Sequence, residues 1–240
     1  MANGVGGPRP QLSSSVFDQL VADIVSGRYK AGQRLPSERD LSRTLGASRP
    51  TLREALRRLS EWQLIESRAS SGAVVRDRRE WTFDALPAYI RYGGPAGLGA
   101  LVRDLFGVRR LLFIDVLRLV GTRVAPHALG EARAAVARAW ASRADVGTFL
   151  REDFEFVRSI TLAADFLPAL WMLNSLSGTY LSLAKMMTGA ATVPDDYLAS
   201  YEAVIVALER RDVDAACAAM SRYLERHDRA VLAALHVPGE

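Results

Sequence analysis

The chain has a single cysteine, Cys217, among 240 residues. That excludes an internal disulfide framework and a multi-cysteine zinc site. In its alanine-rich surroundings Cys217 reads as a small buried residue. No uncharged apolar run of about 18 residues occurs, and the stretch Leu111–Leu119 is broken by Asp115 and Arg118. No transmembrane helix is expected. The start, MANGVGGPRPQLSSS, lacks the apolar segment of a secretory signal; residues 1–11 read as a flexible tail. These absences point to the cytoplasm. Histidine is scarce, and His127, His227 and His236 are not spaced as a metal site. Catalytic signatures are also missing: there is no P-loop, no Gly-x-Ser-x-Gly and no His-Glu-x-x-His. Ser182-Leu183-Ala184-Lys185 fits a Ser-x-x-Lys pattern without its companion motifs. Gly94, Gly97 and Gly99 form a glycine-rich stretch with no strand before it, so a dinucleotide site is unsupported. No enzyme and no cofactor is expected.

What is present is an ordinary globular composition, 49% hydrophobic and 24% charged, enough apolar surface to offset the entropy of ordering. The charge is uneven. Residues 1–80 hold 14 Lys and Arg against 9 Asp and Glu, and the remainder holds 17 against 18. A basic first third on a near-neutral body suggests a polyanion-binding module joined to something else.

The first third reads as three helices and a hairpin. Val16, Phe17, Leu20, Val21 and Ile24 form a helical stripe, with Gly27 a plausible stop. Ser37 and Asp40 resemble a capping box ahead of a helix over Glu38–Leu45, ended by Gly46. Ser48 is the expected N-cap of a third helix from Arg49 to about Trp62, with Pro50 harmless in its first turn. Two helices joined by a four-residue turn make a helix-turn-helix. Residues 64–66 and 73–75 read as strands around the polar tip Ser67–Gly72, completing a winged helix-turn-helix. A helix of about 13 residues, about 20 Å long, fits the major groove with its first turn toward the bases. Arg49 and Arg53 lie four apart on one face there, and arginine can donate two hydrogen bonds to guanine. Ser48, Thr51 and the backbone amides suit phosphate oxygens. Arg68, Ser71 and Gly72 suit a wing that approaches a minor groove. Arg57, Arg58, Arg76, Arg78 and Arg79 read equally well as a solvated charged face.

The string GRYKAGQRLPSERDLSRTLGASRPTLREALRRLSEWQLIES closely resembles the DNA-binding domain of GntR-family bacterial transcription regulators. The likeness covers residues 12–78. It implies DNA contacts by Arg39, Arg49, Thr51 and Arg53, with the wing around Arg68–Gly72. Two positions depart from the family: Gln63 stands where a glycine is usual, and Ser70 where a wing glycine is common.

Beyond residue 78 no strand-length alternation occurs. Amphipathic segments run over 82–92, 98–124, 128–142, 146–164, 166–188, 195–210 and 212–235. Seven helices with short connections predict an all-α bundle over residues 79–240, reached through a polar hinge at 76–81. The fold class expected is therefore mainly α: a winged helix-turn-helix followed by a helical bundle. The segment 166–188 is apolar on most sides (Leu167, Leu170, Trp171, Leu173, Tyr180), as a buried or cavity-lining helix would be. A buried Arg109 requires an anionic partner, for which Asp153 and Glu152 are internal candidates and a ligand anion is the external one.

This second part resembles the effector-binding domain of the FadR subfamily. Most of that subfamily binds a metal through Asp-x-x-x-His and two later histidines. The corresponding positions here are Asp153, Val157, Tyr201 and Tyr223. Valine cannot ligate and tyrosine is a poor substitute for imidazole, so no metal is expected. The metal-free branch, exemplified by the fatty-acid regulator, takes long-chain acyl-CoA. That likeness implies effector contacts by Arg109, Asp153, Trp171, Asn174, Tyr180, Tyr201 and Tyr223. It leaves open acyl-CoA, a small organic acid, or a bundle that only dimerises. The partners expected are double-stranded DNA carrying a palindromic operator, a small-molecule effector and a second copy of the chain.

Overall fold

The stripe Val16, Phe17, Leu20, Val21 and Ile24 is buried along helix α1 (Pro10–Val25) of the computed structural model. The structure describes residues 10–68, 72–94, 98–186 and 193–234, without the side chains of residues 10–14, 68 and 183–186. Most of the tail expected over 1–11 lies outside the described residues; Pro10 and Gln11 open α1. The described chain divides into two compact units after Gly94.

In the first unit, α2 (Glu38–Leu45) starts where the Ser37 hydroxyl accepts the Asp40 amide at 3.2 Å. It stops at Gly46, whose φ of 61° is the left-handed value that glycine adopts without penalty. Helix α3 (Arg49–Glu61) starts where Ser48 accepts the Thr51 amide, with Pro50 in the first turn. Leu52, Ala55 and Leu59 of α3 are buried with Phe17 and Leu20 of α1. Trp62 meets the Phe17 ring edge-on at 4.8 Å. Strands β1 (Ile65–Arg68) and β2 (Gly72–Val75) pair antiparallel, with Ile65 opposite Val75 and Arg68 opposite Gly72. The chain before α2 adds a third edge to this wing. Arg34 bridges Val74, and Leu35 N–H donates to the Ala73 carbonyl at 2.8 Å. Gln63, at the usual glycine position, sits at φ 57°. Its side chain is fixed there by hydrogen bonds to the Ser60 carbonyl and from Arg76.

Two short 3₁₀ turns, Arg78–Glu80 and Phe83–Ala85, lead into α4 (Leu86–Tyr92). This segment was expected to begin the bundle. Instead Trp81, Ala85, Tyr89 and Tyr92 pack against the first unit's core. Thr82 N–H donates to the Trp62 carbonyl at 3.0 Å. The bundle's described helices are therefore six, not seven.

They are α5 (Leu98–Gly121), α6 (Gly130–Ala141), α7 (Val146–Ala163), α8 (Leu167–Met186), α9 (Tyr197–Glu209) and α10 (Val213–Ala234). Asp145 caps α7 through the amides of Gly147 and Thr148. Helices α6 and α7 pack closely, as do α9 and α10, and α5 lies against α7 and α10. Phe156, Ile160, Tyr201, Val204, Ile205 and Met220 are among the core side chains. Helix α8 departs from expectation: Leu167 and Trp171 are 49% and 64% exposed, so the helix presents an apolar outer face as well as an inner one. Among the described residues no helix is long and apolar enough to cross a membrane.

Candidate functional site

The capped start of α3 sorts the arginines of the first unit by what each one touches. Arg39, Ser48 and Arg49 are exposed and Thr51 is half-buried. Ser48 Oγ and Thr51 Oγ1 lie 2.8 Å apart, which fixes both hydroxyls at the helix N-terminus. Arg53 Nε donates to Glu38 Oε2 at 2.9 Å across α2 and α3. That pair is largely exposed and worth little, so exchange for another anion costs little.

One turn on, Arg57 is held between Glu54 and Glu61. The Glu54 carboxylate raises the guanidinium's pKa, and the same hydrogen bond lowers that of Glu54. Arg58 lies over the Phe17 ring at 3.8 Å. Arg76 pairs with Glu80 and Gln63, and Arg78 donates to the Tyr89 hydroxyl at 3.3 Å. At the start of α3, Arg49 is thus exposed and Arg53 carries a single exposed ion pair. On the wing, Gly72 has φ 75° and open space around its Cα. Ser71 lies outside the described residues, and of Arg68 only the backbone, at the end of β1, is described.

The second unit encloses a polar cluster drawn from five helices. Asp153 of α7 is buried, and its Oδ1 accepts from Tyr201 Oη at 2.5 Å and Tyr197 Oη at 3.1 Å, both from α9. Burial raises the Asp153 pKa against the opposing pull of those phenols and of Arg109. Burial likewise raises the pKa of Tyr180, Tyr197, Tyr201 and Tyr223, with the Asp153 charge adding to it. They stay protonated donors.

Arg109 of α5 donates through Nη2 to Asp228 Oδ1 of α10 and lies 3.4 Å from His227 Nδ1. Burial disfavours its charge, but the Asp228 carboxylate leads a set of neighbours that outweigh this, and its pKa is raised. Arg109 Nε, the Tyr180 hydroxyl and Asp228 Oδ2 are buried without a hydrogen bond of good geometry.

Of the expected effector residues, the structure brings Arg109, Asp153, Tyr180, Tyr201 and Tyr223 into this cluster. Tyr201 and Tyr223 stack edge to face at 5.2 Å. Trp171 and Asn174 stand on the exposed side of α8 instead. The internal partner of Arg109 is Asp228, not Asp153 or Glu152; Glu152 is taken by Arg138 at 2.8 Å. Tyr197, His227 and Asp228 were not anticipated. Tyr197 and His227 had spacing alone as a signal: Tyr197 precedes Tyr201, and Tyr223 precedes His227, by four residues on one helix face; Asp228 had none. Val157 is a buried apolar core residue. Among the described residues no group of three or more His, Cys, Asp or Glu is placed to hold a metal ion.

A family model described as bacterial regulatory proteins of the gntR family matches residues 12–75, and an FCD domain model matches residues 104–226. The chain is 33% identical over 194 residues to Mce2R, an HTH-type transcriptional regulator of Mycobacterium tuberculosis, covering 79% of this chain and 80% of that one. It is 31% identical over 220 residues to an uncharacterized HTH-type transcriptional regulator of the same organism, covering 90% and 88%. Among solved structures, Lar of Listeria monocytogenes shares the fold at a TM-score of 0.61 and 14% identity, over 94% of this chain and 98% of that one. The chain therefore belongs to the GntR family of DNA-binding transcription regulators, in the FadR-like branch that carries an FCD effector-binding domain.

Proposed function

We propose that the chain acts in the cytoplasm as a homodimer that binds a palindromic operator and adjusts its grip according to an organic anion held in the second unit. Binding, not catalysis, is its chemistry. Arg49 and Arg53 read base edges in the major groove, and Arg39, Ser48 and Thr51 fix the register on phosphates. Arg68, Ser71 and Gly72 carry the wing toward the neighbouring groove. A dimer sets two such helices about one helical turn apart on the duplex. The observation that supports this reading best is the sorting of the arginines: Arg49 is exposed and Arg53 carries one exposed ion pair to Glu38, while Arg57 is held by two carboxylates and Arg58 and Arg76 by Phe17 and Glu80.

The effector occupies the polar cluster, with Arg109 receiving its anionic group and Tyr180, Tyr201 and Tyr223 shaping the surround; Asp153 holds the phenols in place. An acyl thioester of coenzyme A and a small carboxylic acid both offer the required anion. Selection of duplexes from a random pool by the full chain tests the DNA reading, with an enriched inverted repeat expected. Thermal shift with acyl-CoAs against small carboxylates tests the effector. A ligand at a hundredfold excess over its Kd stabilises by about 2.7 kcal/mol. No enriched sequence would defeat the first part, and no shift with either class would defeat the second.

A further inference from the structure

The side chain of Arg109 is 15% exposed and that of Asp228 is 4% exposed. An arginine buried beside a carboxylate commonly makes two parallel hydrogen bonds to it. Arg109 does not. It holds Asp228 end-on through Nη2 alone, the same atom that faces His227. Its Nε is buried without a hydrogen bond of good geometry, and the Tyr180 hydroxyl is the neutral group that interacts with the side chain. The strongest recognition edge of the side chain, where Nε lies beside one terminal nitrogen, thus carries no carboxylate. Asp228 also has somewhere else to go. Its Oδ2 accepts no hydrogen bond but lies 3.6 Å from Arg110 Nη1, and Arg110 is 40% exposed. A carboxylate displaced from Arg109 remains paired on Arg110, nearer to solvent.

Given the effector site proposed at Arg109, we infer that Asp228 is a built-in competitor for the effector's anionic group. Its carboxylate holds Arg109 in the free protein, and an incoming oxyanion with two oxygens, a carboxylate or a phosphate, takes the two-pronged position and shifts Asp228 onto Arg110. Because Asp228 belongs to α10 and both arginines to α5, this exchange keeps the two helices tied but moves the tie by one residue along α5, toward solvent. It converts occupancy into a change of packing, and it sets effector affinity below what Arg109 alone would give.

The test compares binding of acetate and of inorganic phosphate, with chloride as the ionic-strength control, to the full-length wild type, Asp228→Asn, Arg110→Gln and Arg109→Gln. Calorimetry gives the affinities and melting temperature the stabilisation. Asp228→Asn is expected to bind one of the two probes at least tenfold more tightly than the wild type. Arg110→Gln is expected to bind it several-fold more weakly, and Arg109→Gln not at all. The probe that gains identifies the head group. Should Asp228→Asn fold poorly, its melting temperature is expected to climb more steeply with that anion than the wild type's does, by mass action. Equal or weaker binding by Asp228→Asn, or no response of that variant to either anion, overturns the inference. Binding that survives Arg109→Gln unchanged overturns instead the assignment of the effector to Arg109.

Discussion

Tyr201 donates to Asp153 Oδ1 at 2.5 Å, phenol and carboxylate both buried at the centre of the second unit. A hydroxyl removed from such a pair leaves a buried acceptor short of a donor, at a cost of about 1–3 kcal/mol. Tyr201→Phe is therefore expected to destabilise the second unit by that amount in urea denaturation. Tyr197→Phe, with the longer 3.1 Å bond, is expected to cost less. Equal stability of the wild type and Tyr201→Phe would show that the pair contributes nothing.

The same carboxylate makes stability depend on pH in a stated direction. Burial raises the Asp153 pKa above its ordinary value of 3.8. A carboxyl whose folded value exceeds its unfolded value contributes stability that is complete below the unfolded value and lost as pH rises through the folded one. Asp153→Asn cannot ionise. The stability of the wild type relative to Asp153→Asn is expected to fall as pH rises from about 4 and then to level off. Chemical denaturation of both proteins across that range checks it; a difference constant with pH contradicts it.

Ser48 allows the fold to be separated from the function. Its hydroxyl caps α3, and replacing such a cap by alanine costs about 1 kcal/mol. Ser48→Asp keeps a capping oxygen and is expected to retain wild-type stability. It places a negative charge where a phosphate is proposed to sit, so DNA affinity is expected to fall with Ser48→Asp although the melting temperature does not.

Gln63 occupies the left-handed region, which costs a side-chain-bearing residue about 1–2 kcal/mol relative to glycine. Gln63→Gly and Gln63→Ala lose the same hydrogen bonds, to Ser60 and from Arg76. The glycine variant is expected to be the more stable of the two by about 1 kcal/mol, the reverse of their order within a helix. Denaturation of the two variants side by side decides it.

Features written in neighbouring residues were legible in the sequence. Ser37 with Asp40, Gly46, Ser48 with Pro50 and the stripe along α1 are local signals, and the structure uses each where it was expected. Features that depend on which core a residue finds were not legible. Trp81, Tyr89 and Tyr92 are apolar in either direction, and only packing decides that they join the first unit. The bridge from Arg34 to Val74 involves too few residues to leave a period. Trp171 sat in a segment apolar on most sides, and nothing in that pattern marks its exposed face. Arg109 was rightly expected to require an anion. The identity of that anion, Asp228, lies 119 residues away, a tertiary choice invisible to helical spacing because Asp153 and Glu152 were equally plausible.

The most direct test of the regulator reading compares Arg49→Ala with Arg57→Ala on the duplex that the wild type selects. Arg49 is exposed at the cap of α3, whereas Arg57 is clamped by Glu54 and Glu61. A bidentate contact to a base is worth about 1–3 kcal/mol of discrimination. Fluorescence anisotropy at fixed salt is expected to show Arg49→Ala losing about tenfold or more in preference for that duplex over a scrambled one, while Arg57→Ala stays near the wild type. Unchanged preference in Arg49→Ala would contradict the assignment of base reading to the start of α3.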